Sequence, residues 1–317
     1  MMNKIAWIIL LFGSFNSLSQ FDGPAGTPGS LAMAADSSAF IDWADNCGVT
    51  RGPMDIMNPG LGMASHGFNS YGTGYPNNQV VSLGDGGFAI LTFPSPIMNG
   101  PGPDFAVFEN AFHPGFLELA FVEVSSDGSN YHRFPATSLT PADMQVGPFD
   151  TIIQAQDLNN LAGKYQAGFG VPFDLEELDS IPSLNIDAIT HVKLIDVIGT
   201  IQDIWGSYDH LGNIINDPYS TPFPSSGFDL DAVGVIHQAP LSTSSLDNKT
   251  AFYPNPATTS DWVQIDDQYS IVSVSDMTGR QITLSQEGNS IQVNESGYFF
   301  VQLQGTKESI TLPLLVK

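Results

Sequence analysis

The chain has 317 residues, enough for two domains and a sizeable core, and sets 33 acidic residues against 9 basic ones for a net charge of −24. A field of that sign repels phosphate backbones and anionic membrane surfaces, which argues against nucleic acid as a partner. Only 13% of residues are charged while Gly (31) and Pro (22) are plentiful, a balance that predicts short strands and turns in place of long Glu- and Lys-rich surface helices.

The first residues read MMNKIAWIILLFGSFNSLSQ. Lys4 gives a positive start, Ile5 to Phe15 is apolar, and Ser17 and Ser19 are small residues before a cleavage point, so residues 1–19 are expected to be a secretory signal peptide. A run of about 11 apolar residues falls short of the roughly 20 needed to span a bilayer. No transmembrane segment is expected elsewhere.

Residues 20–238 read as one domain. Cys47 is the only cysteine, so neither an intramolecular disulfide nor a Cys-based metal site can form, and a buried, inert thiol is expected. SSAFIDWADNCGVTRG suggests a short helix capped by Ser37 or Ser38, with Phe40, Ile41 and Trp43 on its apolar face. GLGMASHGFNSYGTGYPNN follows as a long loop. From Val80 the pattern turns to strands: VVSLGDGGFAILTF, then DFAVFENAF, then ELAFVEVSSDGSNYHRFP with a tight turn at Asp127-Gly128. Residues 140–187 are mixed, with weakly helical patches in DLNNLAGKY and FDLEELDSI. AITHVKLIDVIG and GFDLDAVGVIH supply the last strands. Short strands without alternating long helices predict an all-β jelly-roll β-sandwich. Residues 239–250 are a Ser/Thr-rich linker, and 251–317 read as a small, immunoglobulin-like all-β sandwich.

Acidic and amide groups at strand ends are the candidate chemistry. Asp104, Glu109 and Asn110 flank one strand, and Asp229 and Asp231 open another. Regular alternation puts Asp229 and Asp231 on one face, about 7 Å apart, where they repel unless a cation lies between them. The domain holds only Arg51, Arg133, Lys164 and Lys193 as bases. Hard oxygen ligands in that number suit Ca²⁺, so Asp104, Glu109, Asn110, Asp229 and Asp231 are its candidate ligands. The alternative is a set of solvated strand ends. Flat rings in the loops, Phe68, Tyr71, Tyr75, Phe112, Phe116, Trp205, Tyr208 and Tyr219, could stack on sugars, and DIWGSYDHLGNIINDPY directs attention to Trp205, Tyr208 and Tyr219 as ligand-binding residues.

Catalytic signatures are missing. The six histidines are scattered with no H-E-x-x-H, no G-x-S-x-G occurs, and LGDGG lacks the G-K-[ST] ending of a phosphate loop. A non-enzymatic module is therefore expected. A polysaccharide hydrolase using two of the carboxylates is the alternative, and a structural or adhesive surface component a third.

Two resemblances follow from particular motifs. Tyr253-Pro254-Asn255-Pro256, VSVSDMTGRQI with Gly279-Arg280, SGYFFVQL from Gly297, and the terminal Lys317 resemble the C-terminal sorting domain of the type IX secretion system of Bacteroidetes. That resemblance implies engagement with the type IX machinery and delivery to the outer surface or beyond. GPDFAVFENAF, ELAFVEVSSDGSNYHRFP and GFDLDAVGVI resemble bacterial cell-surface proteins with a galactose-binding, discoidin-like jelly roll. It implies a glycan or protein ligand and a structural calcium.

Overall fold

The computed structural model describes residues 21–239, 252–305 and 309–317. The expected signal peptide and nearly all of the expected linker lie outside them. The chain divides into two units at residues 241 and 242.

The first unit is built on two six-stranded antiparallel sheets. One runs Met33–Ala34, Phe169–Phe173, Phe105–Glu109, Asp229–Val235, Asp42–Trp43, with Val81–Ser82 also pairing to Asp229–Val235. The other runs Leu161–Ala162, Ala120–Ser125, Ile189–Asp196, Phe88–Ile97, Asn46–Thr50, with His132–Arg133 pairing to Ala120–Ser125. Alternation along each strand explains the layering. Phe105 and Val107 on one sheet, and Val122, Val124, Val192 and Leu194 on the other, meet in one buried core. Phe105 stacks on Phe173 with ring centroids 5.3 Å apart. The outward row of Ala106, Phe108 and Ala232 is covered by Met33, Phe40 and Trp43.

The all-β sandwich matches expectation, but local details differ. The helix expected around residues 37–50 is absent. Phe40 and Trp43 are drawn onto the outward face of Phe108, and Asn46–Thr50 pairs along Phe88–Ile97; tertiary pairing overrides a weak helical pattern. Leu158–Asn159 and Leu161–Ala162 are short strands as well. Leu175–Leu178 is a single 3-10 turn, capped by the Asp174 carboxylate accepting from the Glu176 N–H. Asp127 and Gly128 form the expected turn. The Asp127 carboxylate accepts from the Ser129 and Asn130 N–H groups, and Gly128 takes φ 72°.

Strand register decides where the carboxylates meet. Leu230 pairs with Glu109, Asp196 with Ala120, and Ile195 with Phe88. The Asp196 carboxylate then ties the sheets together by accepting from the Phe228 N–H at 2.7 Å. Glu109, Asp196, Asp229 and the lead-ins holding Asp85 and Glu118 therefore share one end of the sandwich.

The second unit has a four-stranded and a three-stranded antiparallel sheet, the latter Tyr269–Asp276, Gly297–Gly305, Ser309–Val316. Val263, Val274, Phe299, Val301 and Leu314 share its core. The Asn255 side chain donates to the Pro313 carbonyl at 2.8 Å and accepts from the Leu315 N–H at 3.0 Å. Asp276 accepts from the Thr278 and Arg280 N–H groups, and Arg280 reaches Glu295. Gly279 occupies φ 84° in that turn, a conformation that glycine adopts without strain.

Candidate functional site

The five candidate metal ligands do not share one site. Asp104 and Glu109 bracket one strand, five residues or about 16 Å of extended chain apart. Asp104 belongs to the far end of the sandwich, where it accepts from the Gly100 and Leu175 N–H groups and contacts His237 Nδ1, each at 2.7 Å. Its neighbours organise a loop and leave it no role at the other end.

Asp229 and Asp231 also part company, because a register shift between Leu230 and Ala232 breaks the expected alternation. Leu230 joins the inner core while Ala232 lies with Phe108. Asp231 accepts from the Asn77 and Asn78 N–H groups at 3.0 and 3.1 Å. Asp229 instead accepts from the Ser82 hydroxyl.

Asp229, Asn110 and the neighbourhood of Glu109 form a different constellation. A cavity of about 300 Å³ is lined by Asn110, Glu118, Thr221, Ser225 and Asp229, together with Phe112, Phe116, Phe149 and Phe223. The rings come as two pairs: Phe112 stacks on Phe116 at 4.5 Å, and Phe149 leans on Phe223 at 5.7 Å. Phe112 and Phe149 remain 72% and 65% exposed, so apolar walls stand open to solvent above an acidic floor. Tyr219 is not a free ring: it is buried with its hydroxyl on Asp55 Oδ1. Trp205 and Tyr208 are part-exposed in the 198–217 segment, apart from this lining, and the Tyr208 hydroxyl donates to the Asp203 carbonyl.

Two buried carboxylates, Glu118 and Asp229, line the cavity, and three more buried ones, Glu109, Asp196 and Asp217, act on them electrostatically from outside the lining. Burial is the main cause that holds Glu109, Glu118, Asp196 and Asp217 well above the usual carboxylate range, and their mutual repulsion adds to it. Burial and like charges together disfavour the ionised forms, so full ionisation of the set without a counter-charge is strongly opposed. Protein donors answer only part of the demand. Glu109 accepts from the Ala111 N–H at 2.7 Å, Asp196 from Phe228 and Gly86, and Asp217 Oδ2 from the Leu119 N–H at 3.1 Å. Among the described residues neither Asp217 Oδ1 nor the Glu118 carboxylate has a hydrogen-bond partner, and the charges acting on Glu118 are like charges.

Among the described residues no lysine or arginine pairs with any of the five. Arg51, whose charge acts on Asp229, directs its guanidinium to the carbonyls of His66, Ser82 and Gly67. Among the described residues no three His, Cys, Asp or Glu side chains are grouped so as to hold a metal ion by themselves. Glu118, Asp196 and Asp217 escaped the reading of strand ends. For Glu118 and Asp196 the signal is a lone carboxylate inside an apolar run, FLELAF and KLIDVIG, whereas Asp217, between Asn216 and Pro218, reads as an ordinary turn residue.

The family model described as the secretion system C-terminal sorting domain matches residues 251–317. No curated protein matches the chain, and no solved structure matches it. The tail directs the chain through type IX secretion to the cell surface or the extracellular space. Among the described residues no helix is long and apolar enough to cross a membrane.

Proposed function

We propose that the main unit is a non-enzymatic recognition module displayed outside the cell, calcium-stabilised, and binding its ligand in the pocket between the Phe112–Phe116 and Phe149–Phe223 pairs. A galactose-binding-like jelly roll is the fold this reading assumes. The observation that carries it is the pocket itself: exposed aromatic walls over polar groups, the composition of a ligand site, on a chain tagged for export. Calcium supplies the positive charge that five buried carboxylates lack. Extracellular calcium well above the dissociation constant would add about 3 kcal/mol of stability. The test combines melting curves in calcium and in EDTA with a glycan array read for both capture and sugar release. Capture without release, and a lower melting temperature in EDTA, support the reading. Equal melting curves refute calcium stabilisation.

A hydrolase is the second reading, favoured by the Glu118 and Asp229 carboxylates facing one pocket with a raised affinity for protons. Sugar release abolished by Glu118→Gln would establish it in place of the first.

A further inference from the structure

The geometry points to a divalent-cation site on the floor of the aromatic pocket, held by Glu118 and Asp229 with the Asn110 side chain beside them, whose outer coordination positions take paired hydroxyl oxygens of a neutral sugar. This inference rests on the recognition reading and makes the ion part of the ligand surface.

Three observations carry it. The first is that Glu118, only 9% exposed, lines the cavity and has no hydrogen-bond or ion-pair partner among the described residues. Its carboxylate faces the cavity, so a partner for it must come from the cavity side. A cation there supplies the positive charge that the surrounding carboxylates lack. The buried Asp217 Oδ1, electrostatically adjacent to Glu118, is also without a partner.

The second is the donor chemistry. Carboxylates, the Asn110 amide and the Thr221 and Ser225 hydroxyls line the pocket, with neither histidine nor cysteine. Oxygen donors alone select a hard cation, and calcium accepts six to eight of them in a flexible geometry that includes amides and water.

The third is incompleteness. Only two carboxylates, Glu118 and Asp229, reach the cavity lining, so an ion held there keeps coordination positions on the pocket side. Rings flank that side at Phe112 and Phe149, and they suit the apolar face of a sugar. The net charge of −24 disfavours an acidic ligand and selects a neutral one.

The experiment uses the purified whole protein stripped with EGTA. Calorimetric titration with calcium chloride is expected to show one ion per chain. Glu118→Gln and Asp229→Asn, near-isosteric changes checked for folding by melting, are each expected to weaken binding about tenfold or more. An array of neutral glycans is expected to capture the protein in calcium and not in EGTA. Phe149→Ala combined with Phe223→Ala, both at exposed positions, is expected to lose capture while keeping the calcium heat. Absence of calcium heat, or heat unchanged in Glu118→Gln, overturns the site. Calcium binding with no captured glycan overturns the role of the ion in recognition. Capture that persists in EGTA does so too, yet leaves the recognition reading standing. Sugar release overturns that reading instead.

Discussion

Replacing Asp85 by Asn is expected to stabilise the main unit above about pH 6 and to lose that advantage by about pH 4. Asp85 is 5% exposed and accepts from the Ile56 N–H at 2.7 Å. Burial, then the charge of Asp55, pushes its carboxyl up to about 6 from the ordinary 3.8, against the opposing Ile56 bond. Because the folded value is the higher, the folded state resists ionisation. Wild-type stability therefore falls as pH rises from 3.8 to 6, and the full penalty remains above that window. The gap corresponds to about 3 kcal/mol at 1.36 kcal/mol per pH unit. Asn keeps an acceptor for Ile56 but introduces an amide N–H₂ in the place of the other oxygen, which costs about 1 kcal/mol. The net gain of about 2 kcal/mol corresponds to a rise of roughly 4–8 °C in melting temperature for a unit of this size. Differential scanning calorimetry in EGTA at several pH values reads it. A difference between variant and wild type that does not change with pH would refute the reasoning.

Other outcomes follow from particular contacts. Asp104→Asn is expected to destabilise the unit by about 1–3 kcal/mol in urea unfolding, since one of two N–H donors loses its acceptor, and to leave calcium affinity unchanged by calorimetry. Lys164 is 3% exposed and bonds to Asp22, so Lys164→Met should cost about 3–5 kcal/mol, with partial recovery when Asp22→Asn is added. Gly163 holds φ 85°, and a Cβ there would meet the Glu118 carbonyl at 1.9 Å. Gly163→Ala should therefore lower the urea midpoint and, by shifting the Glu118 backbone, weaken calcium binding in the same preparation.

The sandwich was legible because its strands advertise themselves. AILTF, FAVF, AFVEV and HVKLI alternate or run apolar between Gly, Pro and Asp-Gly turns. The tail was legible for another reason: Asn255, the Gly279 turn and the terminal strand are local features that sequence displays directly. The site was only half readable. Asn110 and Asp229 do line one pocket, whereas Asp104 belongs to the far end and Asp231 is held by the Asn77 and Asn78 N–H groups outside the lining. Composition reports that carboxylates lack counter-charges; register, bulges and crossovers decide which of them meet. Glu118 joins Asp229 across more than a hundred residues of chain, and no local pattern encodes that meeting.

The antiparallel register gives the two rims of the sandwich different tolerances to insertion. The Asp127–Asn130 turn lies on the rim with Asp104 and His237, remote from the acidic pocket, and closes on its own hydrogen bonds. The opposite rim is threaded repeatedly, by the residues around Asp85, from Glu109 to Glu118, and from Asp196 to Asp229. A peptide tag or a new chain terminus placed at Ser129 or Asn130, both exposed, thus interrupts one short turn, whereas Gly128 itself packs against His191. The same change between Asp196 and Asp229 cuts into the loops that build the pocket, so labels for tracking this protein outside the cell belong on the rim at Ser129 and Asn130.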